Sequence, residues 1–183
     1  MNVIIFYLLK CLYFMLPGIA ANTAPVLVKN IFKKLAVPVD FGKKLGKKRI
    51  FGGSKTIRGL IFALLFSLVI AYIQFVLYRY PVFRNLSFFD YNAKWFLAGL
   101  LIGLGAMAGD LTNSFAKRRL GIKPGKPFIP FDQINAVLGG LIFILPVFVP
   151  SILTVITLIV MSFCFHIGLN LLGYCLGLKK TKL

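Results

Sequence analysis

The chain has no glutamate and only four aspartates, against 22 lysines and arginines in 183 residues. Any carboxylate chemistry therefore rests on Asp40, Asp90, Asp110 and Asp132 alone. There is one histidine, His166, held between Phe165 and Ile167 in an apolar run. It reads as a packed structural side chain, and no Ser/His or Cys/His couple offers itself as a nucleophile. The three cysteines, Cys11, Cys164 and Cys175, all fall in apolar runs without metal-ligand spacing. They read as small buried hydrophobes, not as a disulfide framework. Internal repeats and low-complexity tracts are also lacking, which weighs against an inverted-repeat transporter.

Apolar residues are what the chain has in abundance. At 59% hydrophobic it lies far above a soluble domain, and several runs can cross a bilayer. The expected fold is an all-α integral membrane protein, one transmembrane domain over residues 1–183. Five transmembrane helices are expected, at about 3–24, 57–79, 95–116, 134–149 and 151–177. Pro17 is expected to kink the first, and Pro146 and Pro150 to punctuate the last turn. The opening MNVIIFYLL lacks the basic flank of a signal peptide and reads as a retained span.

The net charge of +18 is unevenly placed. Residues 28–58 carry ten Lys/Arg, residues 117–133 carry five, and Lys179, Lys180 and Lys182 close the chain. With five spans these regions share one face, which the positive-inside rule makes cytoplasmic. The N-terminus is then outside and the C-terminus inside, with two large basic cytoplasmic loops, 28–56 and 117–133. No recognisable nucleic-acid module stands among the bases, so nucleic acid is not expected as a partner. The third span carries Gly99/Gly103 and Gly105/Gly109, spacings that let helices approach closely. Packing within the bundle is the first reading, and a homodimer interface the second.

Two of the four acids, Asp110 and Asp132, bracket Lys117, Arg118, Arg119, Lys123 and Lys126. On a continuing helix Asp110, Ser114 and Lys117 share a face, with Thr112 and Asn113 beside them. The proline-rich KPGKPFIPFDQ then returns the chain to the membrane surface, where Asp132 begins the fourth span. Two hard oxygen ligands beside phosphate-binding bases suit Mg²⁺ and a nucleotide or pyrophosphate group. The bland alternative is loop charge with two aspartates pairing or capping it. In the first loop, Gly52, Gly53, Ser54, Lys55, Thr56 and Arg58 stand just before the second span. Such a turn can present backbone N–H groups to an anion, although the P-loop pattern GxxxxGK[ST] is absent. A capping turn with interfacial bases is the plainer reading there.

Together these segments resemble the archaeal CDP-archaeol synthase family, relatives of the phosphatidate cytidylyltransferases. The resemblance is carried by Ala21-Asn22, Ala24-Pro25, Pro38 to Asp40 and GGSKTIRG at Gly52 to Gly59. It is most specific over Gly109-Asp110-Leu111, Ser114-Phe115, Lys117-Arg118-Arg119, Lys123-Pro124-Gly125 and Asp132-Gln133. Where the related pattern places a second closing acid, this chain has Asn135, which supplies no full negative charge.

The resemblance implies transfer of CMP from CTP to 2,3-di-O-geranylgeranylglyceryl 1-phosphate, giving CDP-archaeol and pyrophosphate with Mg²⁺. Asp110 and Asp132 would hold the metal and act in catalysis with Lys117. Ser114, Lys117 and Arg118, with Ser54, Lys55, Thr56 and Arg58 from the other loop, would hold phosphates. Asn22, Asn113 and Gln133 would add polar contacts. The partners implied are CTP, an isoprenoid ether lipid phosphate and membrane lipid. The site would face the cytoplasm in a multi-pass cell-membrane protein, open sideways to lipid chains. Three rivals remain: an anion or phosphate-compound transporter, a polybasic lipid-binding scaffold, and a CDP-alcohol transferase, whose signature is missing.

Overall fold

A computed structural model describes residues 2–123 and 125–175, without the side chains of 169, 170 and 172–175. Pro124, Lys179, Lys180, Lys182 and the end of the expected fifth span lie outside the described residues, as does the Cys175 side chain. Helix α1 covers Val3–Leu27, with the Asn2 side chain accepting from the Ile4 N–H at 3.0 Å. It runs unbroken through Pro17 and Pro25. Pro17 has no N–H to give to the Tyr13 carbonyl, a costly omission in an apolar setting. Gln74 supplies the missing donor, with Nε2 2.6 Å from that oxygen.

A 3₁₀ turn at Lys33–Leu35 leads into strands β1, Lys44–Leu45, and β2, Lys48–Arg49. They pair antiparallel, Lys44 opposite Arg49 and Leu45 opposite Lys48, so the fold is mostly but not wholly helical. Gly46 turns the hairpin at φ +65°, where a side chain would be strained.

Helix α2, Ile57–Leu77, starts at Thr56, whose hydroxyl accepts from the Gly59 N–H at 3.2 Å. The short α3, Pro81–Asn85, was not expected. Helix α4 runs Tyr91–Arg119, capped by Asp90 and ending in Lys117, Arg118 and Arg119, cations suited to a helix C-terminus. Helix α5 is Phe131–Phe143 and α6 is Ile152–Cys175. Helices α1, α2 and α4 are long and apolar enough to cross a membrane. The fourth expected span is shorter than read: 13 residues, about 20 Å at the helical rise. Pro146 explains its early end, since it lacks a donor for the Ile142 carbonyl and disfavours helix at the residue before it.

The glycine pairs hold α4 in the bundle. A methyl on Gly99 would lie 2.6 Å from Ala71 Cβ, and one on Gly103 would lie 2.9 Å from Ser67 Cβ. Ser67 Oγ donates to the Gly99 carbonyl at 2.7 Å, so this face of α4 belongs to α2. Around the helix, methyls on Gly105 and Gly109 would meet the Gly139 and Asn135 carbonyl oxygens at 2.4 and 2.0 Å. That face belongs to α5.

Four bases lie outside the three basic regions 28–58, 117–133 and 179–182. Lys10 lies over Phe88, Arg79 over Tyr80 and Arg84 over Tyr78, and Lys94 donates to the Val147 carbonyl at 3.1 Å. The cysteine expectation holds in part: Cys11 is buried, whereas Cys164 is exposed on the outer face of α6. An apolar run surrounding a cysteine does not decide which side of the helix it takes.

Candidate functional site

The end of α4 that carries Asp110 meets two loops. The Gly-rich loop arrives from before α2. Its Lys55 reaches across, Nζ lying 2.7 Å from Asp110 Oδ1 and 2.5 Å from Oδ2. The second carboxylate comes from the first turn of α5. Asp132 takes Lys117 Nζ at 3.0 and 2.7 Å, Asn113 Nδ2 at 2.6 Å and the Phe128 N–H at 2.7 Å. Each aspartate is thus clasped through both oxygens by one lysine ammonium.

The two acids stand on packed neighbouring helices. Gly109, whose missing side chain lets α4 touch the Asn135 carbonyl, directly precedes Asp110. Asn135 follows Asp132 by three residues on α5. Asn113, one turn beyond Asp110, bridges to Asp132. No cluster of three or more His, Cys, Asp or Glu side chains occurs among the described residues.

Beside Asp110 lies a cleft of about 660 Å³ whose walls include Asn22, Ser54, Lys55, Thr56 and Arg58. The expected residues of the first loop and of α1 thus meet at Asp110, whereas Asn113, Ser114, Lys117, Arg118, Asp132 and Gln133 do not line this cleft. They do different work there. Thr56 spends its hydroxyl on the α2 cap, and Arg58, 7% exposed, donates Nη1 to the Ile31 carbonyl at 2.8 Å. Asn22 and Ser54 are exposed. Ser114 and Gln133 are buried; the Gln133 carbonyl accepts from Ser162 Oγ at 2.7 Å. Arg118 lies against Gly52, where a Cβ would be 3.7 Å from its Nε. That Nε is buried without a hydrogen-bond partner among the described residues.

Asp40 organises the Gly-rich loop, a role sequence reasoning did not assign. Its buried carboxylate accepts from Gly42 and Gly52 N–H at 3.0 Å, from Phe51 N–H at 3.2 Å, and from Arg49. Burial by itself would raise its pKa, but the Arg49 guanidinium and these N–H groups prevail and hold it at about 2. Alongside, Val39 N–H donates to the Lys55 carbonyl and Ile57 N–H to the Val37 carbonyl, both at 2.8 Å. Residues 37–40 therefore brace the backbone that presents Lys55. Arg119 pins the hairpin to the end of α4 through the carbonyls of Leu45, Lys48 and Arg49. The only sequence signal for these ties was the Pro38 to Asp40 segment itself.

The CarS-like family, described as CDP-archaeol synthase, matches residues 2–183. The chain belongs to the CDP-archaeol synthase family. It is 36% identical to the CDP-archaeol synthase of Pyrococcus furiosus, over 95% of this chain and 97% of that protein. It is 30% identical to that of Methanococcus aeolicus, over 97% and 98%. A solved intramembrane enzyme for archaeal membrane lipid biosynthesis superposes with a TM-score of 0.73 at 28% identity, covering 87% of this chain and 91% of that one. With this kinship and its apolar helices, the chain is a membrane protein of the CDP-archaeol synthase family.

Proposed function

We propose that the chain is a cytidylyltransferase making CDP-archaeol and pyrophosphate from CTP and 2,3-di-O-geranylgeranylglyceryl 1-phosphate. Family membership supports the reaction. The reading of the site rests on one observation: two lysine-clasped carboxylates flank the α4–α5 contact, and one of them, Asp110, lines a cleft shared with the Gly-rich loop.

The donor set fits Mg²⁺. Asp110 and Asp132 offer hard carboxylate oxygens, and the lysine ammoniums stand where a cation binds. Bound there, the metal would neutralise charge on the triphosphate. Lys55 and Lys117, released from their aspartates, turn to the phosphate oxygens. Arg118, whose Nε has no hydrogen-bond partner among the described residues, adds forked charge from the end of α4. The backbone N–H groups of Gly53 and Ser54 approach the triphosphate, and Arg58 fixes the loop's flank. Asn22, Asn113, Ser114 and Gln133 order the polar surroundings. A phosphate oxygen of the lipid attacks the α-phosphorus of CTP, and the bond to the bridging oxygen of pyrophosphate breaks. The protein contributes alignment and charge neutralisation, because the substrate itself is the nucleophile.

The basic loops favour a five-span, single-domain arrangement in the cell membrane with the site facing the cytoplasm. CTP then arrives from water while the lipid chains stay in the bilayer. Release of pyrophosphate from CTP by the purified chain, with the lipid phosphate and Mg²⁺ and then with EDTA, tests the proposal. EDTA-insensitive turnover would refute the metal assignment.

A further inference from the structure

The last residues of α1 and the segment after it are unlike the rest of the basic face. Val26, Leu27, Ile31, Phe32 and Leu35 are all exposed, Phe32 to 56%. Lys29, Lys33 and Lys34 interleave with them and are exposed too. No acid occurs between residues 26 and 35. In water such a surface would be a liability.

The segment is nevertheless fixed. Arg58, buried at the start of α2, holds the Ile31 carbonyl. The Phe32 ring packs on Phe62 of α2, with centroids 5.0 Å apart. Ile61 and Leu65, on the same helix, are exposed by 40% and 47%. The apolar surface of a membrane-length helix therefore continues onto the segment without a break. What covers one covers the other, and a bilayer is the surface that covers α2. The lysines then stand at the level of lipid phosphates.

We propose that residues 26–35 form a collar seated in the headgroup layer of the leaflet on the basic face, recruiting anionic lipids there. Apolar side chains enter the acyl boundary while Lys33 and Lys34 pair with lipid phosphates. Val26 and Lys29 also line the cleft beside Asp110, so the collar stands at its mouth. Anionic lipid gathers where a lipid phosphate must enter.

The full chain in bilayer nanodiscs tests this. A Phe32→Trp probe in a Trp95→Phe background should be quenched by lipids brominated near the headgroup and shielded from iodide. Quenching by iodide alone would overturn the proposal. Second, the preference for spin-labelled anionic over zwitterionic lipid should fall by about fivefold per lysine in Lys33→Gln/Lys34→Gln. It should persist in Lys33→Arg/Lys34→Arg. An unchanged preference in the Gln pair would overturn the proposal. So would a rise in KM for CTP of equal size in neutral and anionic bilayers, since the lysines would then serve the nucleotide. Should the Gln pair fail to fold, the wild-type preference must still weaken with added salt, and a salt-independent preference overturns it. These readouts concern lipid contact, and they can fail while CTP turnover stands.

Discussion

Asn113 stands one helical turn beyond Asp110 and donates Nδ2 to Asp132 Oδ1 at 2.6 Å, tying α4 to the α5 acid. A side chain that orients a carboxylate acts on it without meeting substrate. Asn113→Leu should therefore lower turnover by about 10- to 100-fold with little change in KM for CTP. Steady-state kinetics check this; a pure KM effect would mean that Asn113 binds nucleotide.

Lys55 and Lys117 each give up an ion pair in the proposed mechanism. Lys55→Gln and Lys117→Gln should each raise KM for CTP by about tenfold or more, the order of a charge-assisted hydrogen bond. Titration with CTP measures it. An unaltered KM in both would leave the ammoniums as structural clasps only.

The α4–α5 contact should tolerate nothing larger than hydrogen at Gly109. In Gly109→Ala the new methyl would sit 2.0 Å from the Asn135 carbonyl oxygen, so the helices must separate. Overpacking of this kind costs about 1–3 kcal/mol, and Asp110 moves with its backbone. Gly140→Ala, where the nearest atom is 3.9 Å away, should be nearly silent. Thermal unfolding in detergent compares the two.

Asp40 carries a pH signature. Its folded pKa of about 2 lies below the unfolded carboxyl value of 3.8. The stability this adds is complete above the unfolded value and is lost as pH falls toward 2. Asp40→Asn should melt earlier than the wild type at pH 7, by about 2 kcal/mol, with the gap closing as pH falls below 4. Melting curves across that range provide the check, and a gap constant with pH would contradict it.

Much of the candidate site was legible because its residues are chemically out of place. Asp110 and Asp132 stand out in an acid-poor apolar chain, and Gly52 to Arg58 ends at a helix start that Thr56 caps. The spacing of Gly99, Gly103, Gly105 and Gly109 announced close helix contacts, though not that α2 and α5 would take one pair each. The hairpin was not legible: strands of two residues at Lys44–Leu45 and Lys48–Arg49 show no alternation, and tertiary ties to Arg119 hold them. The part played by Asp40 depends on partners up to twelve residues away, which spacing does not reveal. The short α5 follows from Pro146, visible in sequence: the helix ends at Phe143, six residues before the expected 149.

The central claim is that Asp110 and Asp132 act together on one cation at the CTP phosphates. The most direct measurement is Mg²⁺-dependent release of pyrophosphate from CTP by Asp110→Ala and Asp132→Ala, each shown to be folded by its melting curve. Both variants should lose turnover by about 10³-fold or more, as when charge stabilisation at a transferring phosphate is removed. Near-normal, Mg²⁺-dependent turnover in either variant would contradict it.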